Sequence, residues 1–209
     1  GVEFSASIFI SEPVHNCVHR EVLEAAGSGF KSHRSEGEHT SEFLASTDPW
    51  FRPTTTRTGP DGALYVADFY RFVIEHPEWI SPETRARLDL RAGQDKGRIY
   101  RLSPKGKPRR PIPDLSKLTS RQLVESINSP NGWQRDTAQR LLWENGPDGE
   151  ALSQLETLLT LRHRPQVRVQ ALATLGMLKK LSPASLLTSL TDPHPPPGTT
   201  HWAPPPTPP

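Results

Sequence analysis

The sequence predicts a chain that is β in its first half and α in its second, a partial β-propeller followed by helical repeats. Gly59-Pro60-Asp61-Gly62 is a turn with a mechanism: proline presets φ at the first turn position, and glycine supplies a conformation other residues adopt poorly. An apolar run, Ala63–Val66, follows it, and a third strand is expected at Arg98–Leu102, which makes most of one blade. The pattern also occurs earlier in the chain. Beyond residue 115 leucines recur at helical spacing, and Arg135-x-x-Ala138 returns as Arg168-x-x-Ala171 at an offset of 33 residues.

The totals fit one or two domains in 209 residues. With 25 basic and 23 acidic residues the net charge is +2, which argues neither for nucleic acid nor for an anionic membrane. No apolar run approaches the roughly 18 residues of a membrane span. Gly1 opens directly on an extended segment, with no signal peptide, so the natural N-terminus is expected to lie upstream. One cysteine, Cys17, allows no internal disulfide, and its expected role is that of a small buried hydrophobe. The chain has no Cys-x-x-Cys-His and so no covalent haem site.

In the first half, Ser7–Glu12 is a short apolar run ending in an acid, and Val18–Leu23 follows a Pro-Val-His-Asn corner. Aligning Glu12 with Asp68, and Val18-His19-Arg20 with Ile99-Tyr100-Arg101, gives a period of 56 residues at the first anchor. Propeller repeats run about 40 to 50 residues. The excess is an insertion, Phe72 to Gln94, at the same corner of the second copy. It reads as a loop with a helix, Ser81 as N-cap, Pro82 at the first helical position, and Thr84–Leu90 continuing. Such insertions are frequent binding sites.

Five of the eight histidines lie here: His15, His19, His33, His39 and His76. His15 and His19 have the i, i+4 spacing that lets a helix share a metal. In an extended segment their Cα atoms lie about 13 Å apart, too far for one ion. Two roles are open to Glu12 and Asp68: functional acids at strand ends, or structural acids accepting backbone hydrogen bonds. The structural role is favoured. Arg20 and Arg101 are expected to pair with acids or to lie on blade surfaces.

The basic, proline-rich stretch from Pro104 to Pro111 reads as a solvated linker. Thr119-x-x-Gln122 then forms a capping box. A second helix is expected over Trp133–Glu144, with Asn145-Gly146 as its stop. Leu152, Leu155, Leu158 and Leu159 mark a third, Val167 to Leu178 a fourth, and Ser182-Pro183 caps a fifth. Paired helices that bury leucines by stacking are the organisation of HEAT-like repeats. After Pro195 the chain is proline-rich without helical pattern and is expected to be disordered, with a frame shift near that point as one origin.

Several long motifs carry a resemblance. Glu12–Leu23, Ser41–Pro53, Gly59–Pro77, Asp95–Arg101 and Asn131–Leu142 resemble the PVC-type membrane-bound dehydrogenase-domain proteins of planctomycetes and verrucomicrobia. That family joins a six-bladed propeller, similar to glucose and sorbosone dehydrogenases, to HEAT repeats and usually a c-type cytochrome domain. The resemblance implies the last one or two blades in residues 1–103 (insertion 72–94), a linker at 104–114, a HEAT-like solenoid at 115–194 and a tail at 195–209. It implies a periplasmic or envelope setting, and as partners the missing blades and the downstream HEAT and cytochrome domains. Pyrroloquinoline quinone and haem c would be cofactors of the parent, the haem outside this chain. No catalytic residue matches the related enzymes. His15, Asn16, His19, Arg20, Arg52 and His76 are the candidates for the propeller mouth.

Two functions follow as expectations. In one, the parent oxidises a sugar or alcohol and passes electrons to haem, and this piece alone is inactive. In the other, it is a binding module for a polysaccharide or protein partner. A truncated product with no activity of its own is a third, weaker reading.

Overall fold

A computed structural model describes residues 4, 6–26, 29–160 and 163–191. They form two compact units. The first is β-rich and holds described residues up to 24 together with 32–59 and 63–109. The second holds 110–160 and 163–191, with residues 25–26, 29–31 and 60–62.

The first unit opens with β1 (Ser7–Glu12) and β2 (Cys17–Ala26), antiparallel from Ser7↔Val22 to Glu12↔Cys17. β3 (Gly29–Arg34) follows next to β2, and β4 (Leu44–Ala45) pairs with Val18 and Cys17, completing a four-stranded sheet. β5 (Pro53–Thr58), β6 (Leu64–Asp68) and β7 (Arg98–Leu102) form a separate three-stranded sheet in that order. The Thr56 hydroxyl donates to the Phe9 carbonyl at 3.1 Å, which ties β5 to β1. Val18 and Val66, at the centres of the two sheets, are fully buried.

The expected turn is present. Gly62 has φ +75°, and the Gly59 amide donates to the Ala63 carbonyl at 2.9 Å. Gly59 is required for a second reason: a Cβ there would stand 2.1 Å from the Tyr65 ring. The repeat read from the sequence is also present as register. Glu12↔Cys17 places Val18, His19 and Arg20 against β1, as Asp68↔Arg98 places Ile99, Tyr100 and Arg101 against β6.

The expected class does not hold. Propeller blades are typically four-stranded sheets repeated around a channel. Among the described residues the strands divide into two small open antiparallel sheets of four and three strands, and no closed blade forms. Alternation along a strand specifies its face and its register, and nothing in it requires successive sheets to close a ring. The segment between the two copies supplies β3, β4 and β5, which split between the sheets. The class is thus mixed β then α. The insertion is also less helical than expected: α1 (Pro82–Arg85) is one turn, capped by the Ser81 hydroxyl accepting from the Thr84 amide at 3.3 Å. Its residues are almost all exposed, so no apolar face extends it to Leu90.

The second unit contains α2 (Ser120–Ile127), α3 (Gly132–Asn145), α4 (Gly149–Thr157), α5 (Pro165–Met177) and α6 (Pro183–Leu190). Thr119 and Gln122 make the reciprocal capping box, and Gly146, at φ +72°, ends α3. Leu123, Ile127, Ala138, Leu142, Leu155 and Leu175 share one core. Arg135 and Arg168 have equivalent roles: each donates to a carbonyl just ahead of its own helix, Ser129 at 2.9 Å and His163 at 2.5 Å. The tail expected to be disordered, 195–209, lies outside the described residues.

Candidate functional site

Adjacent residues of a strand point to opposite faces, so His19 and Arg20 on β2 cannot serve one pocket. His19 shares its face with Glu21. Its Nε2 lies 2.9 Å from Glu21 Oε1 and its Nδ1 2.8 Å from Glu42 Oε2. Arg34 holds the other oxygen of Glu42 at 2.6 Å. Bonds to Glu21 and then Glu42 push the His19 pKa up. The Glu42 carboxyl is held down by Arg34 and then His19, and Glu21 by Ser32 and then His19. Both ring nitrogens face carboxylate oxygens at hydrogen-bond distance, so the imidazole presents no free nitrogen to a ligand.

Arg20 is buried on the opposite face. It pairs with Glu38 at 3.0 Å, donates to the Ser35 hydroxyl, and lies over the Phe4 ring at 4.9 Å from its centroid. The expected pairing with an acid is therefore present.

Asn16 and Arg52 are brought together, as clamps. Asn16 sits in the left-handed region at φ 56°, which asparagine tolerates better than most residues. Its amide donates to the Phe51 carbonyl at 2.6 Å and to that of Pro49 at 3.2 Å. The Arg52 guanidinium donates to the carbonyls of Pro13, Arg71 and Phe72 at 2.8, 3.0 and 3.0 Å. One side chain thus ties the β1–β2 corner to the root of the insertion. His15 is exposed beside Glu12 at 3.8 Å, and His76 is exposed as the cap of the short helical turn Pro77–Trp79.

Asp68 takes the structural role. It is 3% exposed, and its Oδ1 accepts from the amides of Arg52 and Tyr70 at 2.8 and 2.9 Å. The Tyr70 hydroxyl donates to Asp48 at 2.9 Å, which pushes its pKa up, and Arg98 lies 3.7 Å above the Tyr70 ring. Gly93 closes this corner at φ +88°, where a Cβ would stand 2.3 Å from the Tyr70 carbonyl oxygen. Glu12, its counterpart, is half exposed, and among the described residues no backbone amide donates to it. Cys17 is buried as expected, and burial raises its thiol pKa.

A quinone cofactor of the kind the resemblance implies carries carboxylates and needs cations turned toward a common cavity. Arg20 is committed to Glu38 and Arg52 to main-chain carbonyls. The six candidate side chains do not fit such a group. Among the described residues, no group of three or more His, Cys, Asp or Glu side chains could hold a metal.

Sequence reasoning missed the feature best suited to a ligand. An open cleft of about 320 Å³ is lined by Leu44, Ala45, Ser46, Phe51, Tyr100, Arg101 and Leu102. Phe51 and Tyr100 meet edge to face with centroids 5.9 Å apart. Its signal in the sequence was the Phe51-to-Tyr100 aromatic pair, separated by the whole insertion and therefore invisible to local pattern.

These features define the class: a β-rich module of two open sheets, one carrying a clamped insertion, followed by a helical unit. Residues 1–106, just over half of the 209, match the model of a family described as a domain of unknown function (DUF7133), and the chain belongs to that family. No curated protein and no solved structure matches the chain. Among the described residues, no helix is long and apolar enough to cross a membrane.

Proposed function

We propose that this chain is a non-catalytic recognition module that binds a protein partner through its β-rich unit. The observation that carries this reading is the cleft between β4 and β7. It is open, largely apolar, walled by two aromatic rings, and contains no acid, histidine or thiol. Pockets of this volume that bind usually combine apolar walls with a few polar groups, here Ser46 and Arg101. The polar side chains that suggested chemistry support the reading from the other side, because Asn16, Arg20, Arg52 and Asp68 are engaged in holding corners.

The test is panning of a displayed peptide library on the full chain, beside native affinity gels with soluble polysaccharides. Enriched peptides whose binding is lost in Tyr100→Ser support a protein partner. Retardation by polysaccharide alone would move the reading to a carbohydrate ligand. Oxidation of a sugar or alcohol with an artificial electron acceptor would overturn it.

A further inference from the structure

We propose that His19 is a proton-operated clasp on β4: protonated it holds Glu42 to β2, and neutral it hands Glu42 to Arg34 on β3. The clasp stands on side-chain geometry. Its effect on a ligand rests on the recognition reading above, because β4 lines the cleft.

β4 is two residues long, so its flanks decide where it sits. After it, the Ser46 amide donates to the Asn16 carbonyl at 3.1 Å. Before it, Glu42 meets His19 Nδ1 at 2.8 Å. Glu21 meets Nε2 of the same ring at 2.9 Å. Ionised carboxylates accept hydrogen bonds and donate none, so only the imidazolium, a donor at both nitrogens, satisfies both. A neutral ring keeps one N–H and turns a lone pair on the other acid. One contact must then open. Glu21 is fixed two residues along the same strand. Glu42 stands on the connection before β4, and its other oxygen already accepts from Arg34 at 2.6 Å. Glu42 is therefore the group that leaves, and a guanidinium can take both of its oxygens. A carboxylate shared by two cations, one of which titrates, is an element with two positions.

The surroundings set the direction. β1 places Ile10 opposite His19, and its one charged residue is Glu12. β2 adds Glu21 and the Cys17 thiol, whose pKa burial raises. β3 adds Arg34 and the Ser32 hydroxyl, bonded to Glu21, while its His33 faces Glu24 at 3.2 Å. In the connection Glu38 is held by Arg20, and Glu36 and His39 are exposed. β4 itself carries no charge. The two acids outweigh Arg34 and burial at the ring, so the handover falls above the ordinary histidine value.

The full chain, labelled with 15N and 13C, is titrated from about pH 5.5 to about pH 8.5 and followed through its imidazole and amide NMR signals. His19 should titrate above about 6.5 and lose its proton from Nδ1, leaving the Nε2–H tautomer that stays with Glu21. The amides of 42–46 should shift with the same midpoint. Exchange of the Ser46 amide, corrected for its intrinsic pH dependence, should quicken about threefold. His19→Gln should abolish the transition at 42–46, and His33→Gln should leave it in place. Glu42→Gln keeps the test valid where His19→Gln fails to fold: His19 should then titrate lower than in the parent, and the amides of 44–46 should no longer follow it. An Nδ1–H tautomer would keep Glu42 on β2 and overturn the handover. So would amides at 42–46 that ignore the His19 titration or follow His33 instead. Peptides enriched by panning should bind about threefold more tightly below the midpoint than above it. Equal affinity on both sides, with the amides still moving, sinks the link to the cleft. A library that yields no peptide sinks the recognition reading, and the NMR midpoints still decide the clasp.

Discussion

The strand pairs β1–β2 and β6–β7 share one register and differ in what closes them. In the first pair Glu12 faces Cys17, and four residues turn the corner. In the second Asp68 faces Arg98 across a connection of 29 residues. The acid is half exposed in the short corner and buried in the long one. A tight corner satisfies itself through Asn16 in a left-handed conformation. A long one needs an internal acceptor to hold its root, and Asp68 supplies it. The same sequence position therefore carries a dispensable acid in one copy and an essential one in the other.

This contrast can be broken most severely at Gly93. Gly93→Ala forces a Cβ against the Tyr70 carbonyl at a φ that L residues rarely adopt, and a loss of about 3 kcal/mol is expected in urea unfolding of the full chain. Asp68→Ala strands the amides of Arg52 and Tyr70 and should cost about 2 kcal/mol. Asp68→Asn keeps an acceptor oxygen and should recover most of that loss, which separates hydrogen bonding from charge. Arg52→Ala releases both corners at once. Faster amide exchange is expected at residues 14–16 and 71–72 together, with about 2 kcal/mol lost. Glu12→Ala, by contrast, should stay within about 0.5 kcal/mol of the parent.

The smallest expected effect is pH-dependent and sits on β2. The pKa of His19 is raised in the folded chain by Glu21 and Glu42. Its contribution is fully present below the unfolded value of about 6.5. It is lost as pH rises through the folded value. Glu21 and Glu42 have lowered pKa values, so their contribution is present above the unfolded carboxylate value and fades as pH falls through the folded one. Stability should therefore decline modestly as pH rises from about 6.5 through the raised His19 value. His19→Gln should flatten that decline, as read from urea midpoints across the range.

Much of the local fold was legible. β7 at Arg98–Leu102, the Pro60–Gly62 turn, the Thr119 capping box and the Gly146 stop each depend on a few neighbouring residues. β3 escaped because Gly29–Arg34 is exposed along almost its whole length and shows no alternation. β4 is two residues long and exists only through Cys17 and Val18. The division into two small open sheets escaped because a repeated strand pattern was read as propeller blades, and strand pattern alone does not say which strands share a sheet. For the site, residue type alone does not announce what a side chain is bonded to. Arg20, Arg52 and Asn16 are bonded to partners up to 39 residues away, and no local spacing announces that commitment. The cleft is assembled from segments 54 residues apart at their nearest ends, Ser46 and Tyr100, and has no motif.

In the helical unit, the arginine ties at Arg135 and Arg168 join each helix to the loop that precedes it, within its own stretch of chain. Each 33-residue stretch therefore carries its own fastening. Duplicating such a stretch in a gene would bring the fastening with it, and the helical region can lengthen or shorten by whole copies without new loop chemistry having to arise.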